Sequence, residues 1–297
     1  MIEQRRAEAD ALAQQILAAA SPHEEMLHRD LFLAAALAAD DVGLGQTTTA
    51  HLLERLTPLI ASPIPTVQKQ SIQGIAHLAR LGSLAASAAL LTALADPNLL
   101  HPALQNCLPV LRAPQGREVR AAIVGKLDDD SWDVRIAAVG ALGSLVGSEP
   151  EVRAAIVGKL DDDSWDVRIA AVDALLPLLP SDGEMAESLL PWLGMASQGR
   201  WNFSADRTSE DVLDDLVGLL AEGVAQSASL CQRIIHLLDA RSAPARHRAA
   251  RVLIAQPGGP PPELLPRLRG LLEDNRSEYR WPERLQVAEL FLNHQDY

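Results

Sequence analysis

Aromatic side chains are scarce: five Trp, two Tyr and three Phe amount to 3% of 297 residues. A bulky aromatic β core is thereby excluded, while a 48% apolar content carried mostly by Ala and Leu suits thin, closely packed helices. Cysteine is nearly absent. Cys107 and Cys231 sit in apolar helical patterns with no second thiol at ligand spacing, which excludes a disulfide framework and a thiolate metal cluster and reads as two reduced, buried small hydrophobes. No apolar run is long enough to span a bilayer, and residues 1–15 lack the apolar stretch of a secretory signal, so a soluble, cytoplasmic chain without a membrane partner is expected. Basic charge is also short, with 26 Lys and Arg against 39 Asp and Glu. The resulting net charge of −13 argues against nucleic acid as a partner, because phosphate-backbone affinity comes from clustered Lys and Arg. The acidity is local: from Asp128 to Glu222, twenty acidic residues face six basic ones.

What the chain does have is repetition. The segment EVRAAIVGKLDDDSWDVRIAAV at 118–139 recurs letter for letter at 151–172, a period of 33 residues. Within one unit, Val119, Ala122, Ile123 and Leu127 carry helical spacing and define a first helix, helix A. Asp128, Asp129 and Asp130 interrupt it, and Asp130 or Ser131 is placed to cap the next helix, with Asp133 in its first turn. Helix B then shows two apolar flanks, one of Val134, Ala138, Ala141, Leu142 and Leu145 and another of Ile136, Val139 and Val146. Two flanks require two neighbours, which preceding and following units supply.

Weaker copies follow the same grammar. Val67, Leu100, Val134 and Val167 fall at intervals of 33, 34 and 33 residues, and Leu104, Leu108 and Leu111 continue the buried stripe after Leu100. Residues 2–20 and 22–40 form an opening pair, DARSAPAR at 239–246 resumes the pattern, and a Pro-Gly loop at 257–262 precedes one more pair. The expectation is an all-α, right-handed α-α superhelix of about seven helical hairpins over a single array at 1–297, with near-identical repeats at 118–150 and 151–180. An irregular insertion at 198–209 interrupts it before a helix starting near Glu210.

The sequences DDDSWDVRIAAVGALGSL and DDDSWDVRIAAVDALLPL resemble HEAT repeats, in particular the short HEAT-like type of phycobilisome lyases. That resemblance implies a structural ladder in which the turn Asp and the helix-B Arg bond between neighbouring units, with Asp128, Arg135, Asp161, Arg168, Asp239 and Arg246 as its members. Gln68 and His101 stand in place of the Arg in earlier units. HRDLFLAAALAADD and RWPERLQVAELFLNHQDY also resemble the repeat regions that follow the NTPase domain of bacterial NACHT proteins of the STAND class. This implies a ligand-sensing array attached to an NTPase, and the apolar spacing of Leu285, Ala288 and Phe291 implies a further unit beyond them.

Catalytic chemistry is not apparent. VGLGQTTT at 42–49 lacks the lysine of a phosphate loop and reads as an interhelical loop with Thr47 or Thr48 as a cap. DDDSWD lacks the glycine and closing glutamate of a calcium loop, His23-Glu24 is a single pair, and no Ser occupies a nucleophile elbow. No catalytic residue, metal or cofactor is expected. A surface remains. Trp132 and Trp165 should lie about 10 Å apart in adjacent hairpins, beside Asp129, Asp130, Asp162 and Asp163: either an aromatic anchor in an acidic rim for a basic protein ligand, or tryptophans that pack over the neighbouring turn. Trp201 and Phe203 in the insertion either present a second binding surface or plug a packing fault. The Arg241, Arg246, Arg248 and Arg251 stretch either meets an anion or pairs with the chain's own acids. The expected function is a nonenzymatic protein-binding module, the sensor region of a NACHT-type NTPase; the alternatives are a bilin lyase subunit acting on a phycobiliprotein and a scaffold joining two proteins.

Overall fold

The structure is a computed structural model that describes residues 2–19, 21–39, 43–195, 202–204 and 207–273. It comprises two compact units, residues 1–155 and 156–297, where the repeat period alone suggested one array. The expected terminal helix carrying Leu285, Ala288 and Phe291 lies outside the described residues.

The first unit opens with α1 (Ile2–Ala18), the four-residue α2 (Glu24–Leu27) and α3 (Arg29–Ala36). Three pairs follow in sequence, α4 (Gln46–Leu56) with α5 (Pro65–Arg80), α6 (Leu84–Ala95) with α7 (Leu100–Asn106) and α8 (Leu108–Leu111), and α9 (Arg117–Gly125) with α10 (Trp132–Gly143), and then α11 (Pro150–Val157) at the boundary. Helix α5 packs on α3, α6 and α8, while α10 packs on α7 and α9, so each helix B is covered on two sides. The amide of Gln73 on α5 donates to Asn106 Oδ1 on α7 at 3.3 Å, tying residues one period apart.

One helix-A arginine in each of two successive repeats meets the problem of helix ends, whose last carbonyls have no partner within the helix. Arg120 Nη1 donates to the carbonyls of Leu111 and Ala113 at 2.6 and 2.8 Å, and Arg153, 33 residues on, donates to that of Val146 at 2.9 Å. A helix-A guanidinium thus closes the end of the preceding helix B. The stripe read through Leu104, Leu108 and Leu111 is corrected at its middle: Leu104 and Leu111 are buried, but Leu108 is 41% exposed. Pro109 has no N–H and its ring crowds the carbonyl four residues back, so helix B breaks at Cys107 and Leu108 turns outward. Burial of the Cys107 thiol pushes its pKa up to about 12, which leaves it an inert hydrophobe.

Near the start, Gly45 rather than Thr47 or Thr48 is the N-cap of α4, and the Asp10 carboxylate from α1 accepts the Gly45 N–H at 2.8 Å. Thr48 is buried and takes a hydrogen bond from Gln14 at 3.1 Å.

The second unit contains α12 (Trp165–Leu175), α13 (Gly183–Leu189), α14 (Ser209–Val224), α15 (Ala228–Leu237), α16 (Ala243–Ala255) and α17 (Leu265–Glu273). Its α14 packs on α12 and α16, and α16 packs on α15 and on the 3-10 turn Leu190–Gly194. The insertion contributes β1 (Asn202–Ser204) and β2 (Arg207–Thr208), an antiparallel pair and the only strands among the described residues. Helix α14 starts at Ser209 behind a capping box: Asp211 N–H donates to Thr208 Oγ1 at 3.3 Å, and Thr208 N–H donates to the Asp211 carboxylate at 2.7 Å.

Candidate functional site

The two copies of DDDSWDVR adopt one local structure. Ser131 and Ser164 are the N-caps of α10 and α12, yet neither hydroxyl closes the cap. The central aspartate does the turning instead: Asp129 Oδ1 accepts Ser131 N–H at 3.1 Å and Asp162 Oδ1 accepts Ser164 N–H at 3.0 Å. Each of these carboxylates also meets a lysine three residues earlier, Asp129 with Lys126 at 3.4 Å and Asp162 with Lys159 at 3.7 Å. Asp162 is therefore nearly enclosed, its side chain 5% exposed, and it serves the turn rather than an outer rim.

The helix-B arginines complete the turn. Arg135 Nη1 donates to the carbonyls of Asp129 and Asp130 at 2.9 and 3.2 Å, and Arg168 Nη1 to those of Asp162 and Asp163 at 2.6 and 3.2 Å. Arg246 repeats the pattern at the carbonyls of Ala240 and Arg241, 2.8 and 3.0 Å away. These bonds lie within one hairpin and go to backbone. Asp239 reaches in another direction and pairs with Arg267 at 2.7 Å. Asp128, Asp130, Asp133, Asp161 and Asp163 are exposed.

Identical sequence does not give identical exposure. Trp132, in the first unit, is 39% exposed. Trp165, in the second, is half-buried: the ring of buried Trp192 lies against it with centroids 5.8 Å apart and planes tilted by 41°, and the Arg168 guanidinium stands over it, 5.5 Å from the centroid. Trp192 escaped the sequence reading, although one more period from Lys159 lands on it. Phe203 lies in β1, and Trp201 falls outside the described residues.

The basic stretch on α16 turns out to be built into the unit. Arg248 is 5% exposed and its Nη1 donates to the carbonyls of Leu193 and Met195, while Ser242 Oγ donates to that of Gly194 at 3.0 Å. Arg251 pairs with Asp214 at 2.6 Å. Of the four arginines, only Arg241 is fully exposed. Among the described residues there is no group of three or more His, Cys, Asp or Glu placed to hold a metal, and no helix long and apolar enough to cross a membrane.

Residues 120–193 match the family model for HEAT repeats. The match spans the duplicated segment and the turn that carries Trp192. Among solved structures, a chain from the Kap95p complex with RanGDP is similar at 14% identity and a TM-score of 0.57, with 95% of this chain and 38% of that one covered. Importin beta, crystallised in ammonium sulfate, is similar at 13% identity and a TM-score of 0.50, with 97% and 40% covered. The likeness shows the fold class, an all-α helical repeat of the α-solenoid kind. The chain spans about two fifths of the length of these proteins. No curated protein matches the sequence.

Proposed function

We propose that the chain is a nonenzymatic protein-binding module built on HEAT-like repeats, and that the duplicated turns before α10 and α12 each offer a binding surface. The observation that carries this reading is that each turn presents exposed carboxylates, Asp130 and Asp133 in the first and Asp161 and Asp163 in the second. Repeat folds present extended surfaces of equivalent residues, and an acidic surface with an exposed indole suits a basic protein. The fold likeness to proteins of the nuclear import assembly, one of which is complexed with RanGDP, supports binding of a protein rather than a small substrate. Within this reading, the chain is the ligand-sensing region of a NACHT/STAND-type NTPase, a role supported by the resemblance of residues 28–41 and 280–297 to such arrays.

The test replaces Asp130, Asp133, Asp161 and Asp163 with Asn in the full chain. A partner captured from the native lysate and identified by mass spectrometry should bind this variant at least about tenfold more weakly, since each rim charge contributes little alone but several act together. Unchanged affinity would remove the acidic turns from the binding surface.

A further inference from the structure

Helix α6 carries no charged residue: apart from Ser87 and Thr92 it is all Ala and Leu. Both hydroxyls are satisfied locally, Ser87 Oγ donating to the Ser83 carbonyl at 3.3 Å and Thr92 Oγ1 to that of Ala88 at 2.9 Å. A helix that is apolar all round is ordinarily buried all round. This one is not. Ala86, Leu90, Ala93 and Leu94 are buried where α6 packs on α5 and α7, but Leu84 is 85% exposed, and Ala85, Ala88, Thr92 and Ala95 are exposed with it. The neighbouring helices A turn polar and charged groups outward instead, His51 and Glu54 on α4 and Arg117 and Glu118 on α9.

The outward residues of α6 form a seam. Leu84, Ala88, half-buried Leu91 and Ala95 follow at steps of four, three and four, the spacing by which one helix meets another along its length. Their order selects the mate. Two parallel copies would set Leu on Leu and Ala on Ala, whereas two antiparallel copies, related by a two-fold axis between residues 89 and 90, set Leu84 over Ala95 and Leu91 over Ala88. Every layer then pairs one large side chain with one small one, and the surface is complementary to itself. Charge agrees with this. The chain carries a net −13, which opposes most contacts between copies, but the seam is neutral and the exposed Arg117 and Glu118 on the adjoining α9 are one of each sign.

We propose that the outer face of α6 is a homodimer seam, in which two copies of the chain pair antiparallel through Leu84, Ala88, Leu91 and Ala95. The seam is independent of the acidic turns. Twelve helical residues span only about 18 Å, so the pairing is smaller than a standard interface and dissociates on dilution.

Sedimentation velocity of the full chain from about 1 to 200 µM, at low and at physiological ionic strength, tests the seam. The wild type should pass from monomer to dimer within that range, and physiological salt should not dissociate it, because no charge is buried. Leu84→Glu with Ala88→Glu puts two carboxylates on the exposed face near the start of α6, where they suit the helix; the urea midpoint should hold while dimerisation weakens more than about tenfold. In a Cys231→Ser background, chains carrying Leu84→Cys should cross-link under mild oxidation to chains carrying Ala95→Cys, and not to one another. A wild type that stays monomeric at the top of the range, or a dimer indifferent to the two glutamates, would overturn the proposal. Cross-linking of Leu84→Cys chains to one another would overturn the antiparallel pairing. If the chain is monomeric and a partner protein slows exchange at the α6 amides, the face serves that partner and the homodimer fails, while the acidic turns keep their own test.

Discussion

At the scale of single residues, the arginines of the repeated turn are structural cations: each holds two backbone carbonyls of the loop that launches its own helix. Arg168→Met keeps the length of the side chain and removes both bonds, and it should cost about 1–3 kcal/mol in urea unfolding, because the carbonyls lose charged donors. The two tryptophans should separate in the same assay. Trp165→Ala, which also strips the partner of Trp192, should cost about 2–3 kcal/mol, and Trp132→Ala less than about 1 kcal/mol. Histidine 77 offers a pH test. Burial first, and then the neighbouring Arg80 charge, hold the His77 pKa below its ordinary 6.5, so the folded state binds this proton less readily than the unfolded chain does. Stability from the neutral ring is fully present above the unfolded value and is lost as pH falls through and below it. The urea midpoint should therefore drop between pH 7.5 and 5.5 by more in the wild type than in His77→Gln, and equal drops would contradict that assignment.

At the scale of elements, glycines distinguish open surface from close packing. A Cβ on Gly116, at the start of α9, would stand 2.0 Å from the Val110 carbonyl oxygen, a backbone atom that has no other place to go. Gly140, on α10, has nothing within 4 Å of the same position. Gly116→Ala should destabilise the chain by about 3 kcal/mol or more, whereas Gly140→Ala should stabilise it by about 0.5–1 kcal/mol through helix propensity; calorimetric or urea unfolding of the pair checks both signs. The helix A, turn, helix B grammar was legible because two apolar flanks at helical spacing have few alternatives to packing between neighbours, and 118–139 repeats without a single change. The break at Pro109 was equally written in the sequence, but the stripe of Leu104, Leu108 and Leu111 masked it. Ser131 holds the N-cap position, one of the two the sequence offered, but its hydroxyl does not close the cap; among adjacent Asp and Ser residues all able to accept an N–H, backbone geometry gives the turn amide of Ser131 to Asp129.

At the scale of the whole chain, the acidity of the middle third was plain from composition, but its division of labour was not. Asp129 and Asp162 look identical in sequence to their exposed neighbours, yet lysines and turn amides occupy them, and what remains outward is Asp128, Asp130, Asp133, Asp161 and Asp163. The difference between Trp132 and Trp165 was hidden for a similar reason, since it depends on Trp192, a residue outside the identical segment. On the proposed function, these turns are where a protein partner sits. Hydrogen–deuterium exchange of the full chain, with and without the partner captured from native lysate, measures this directly. A partner seated there should slow exchange at the amides of residues 128–137 and 161–170. Protection confined to other parts of the chain, with both turns exchanging as in the free protein, would contradict it.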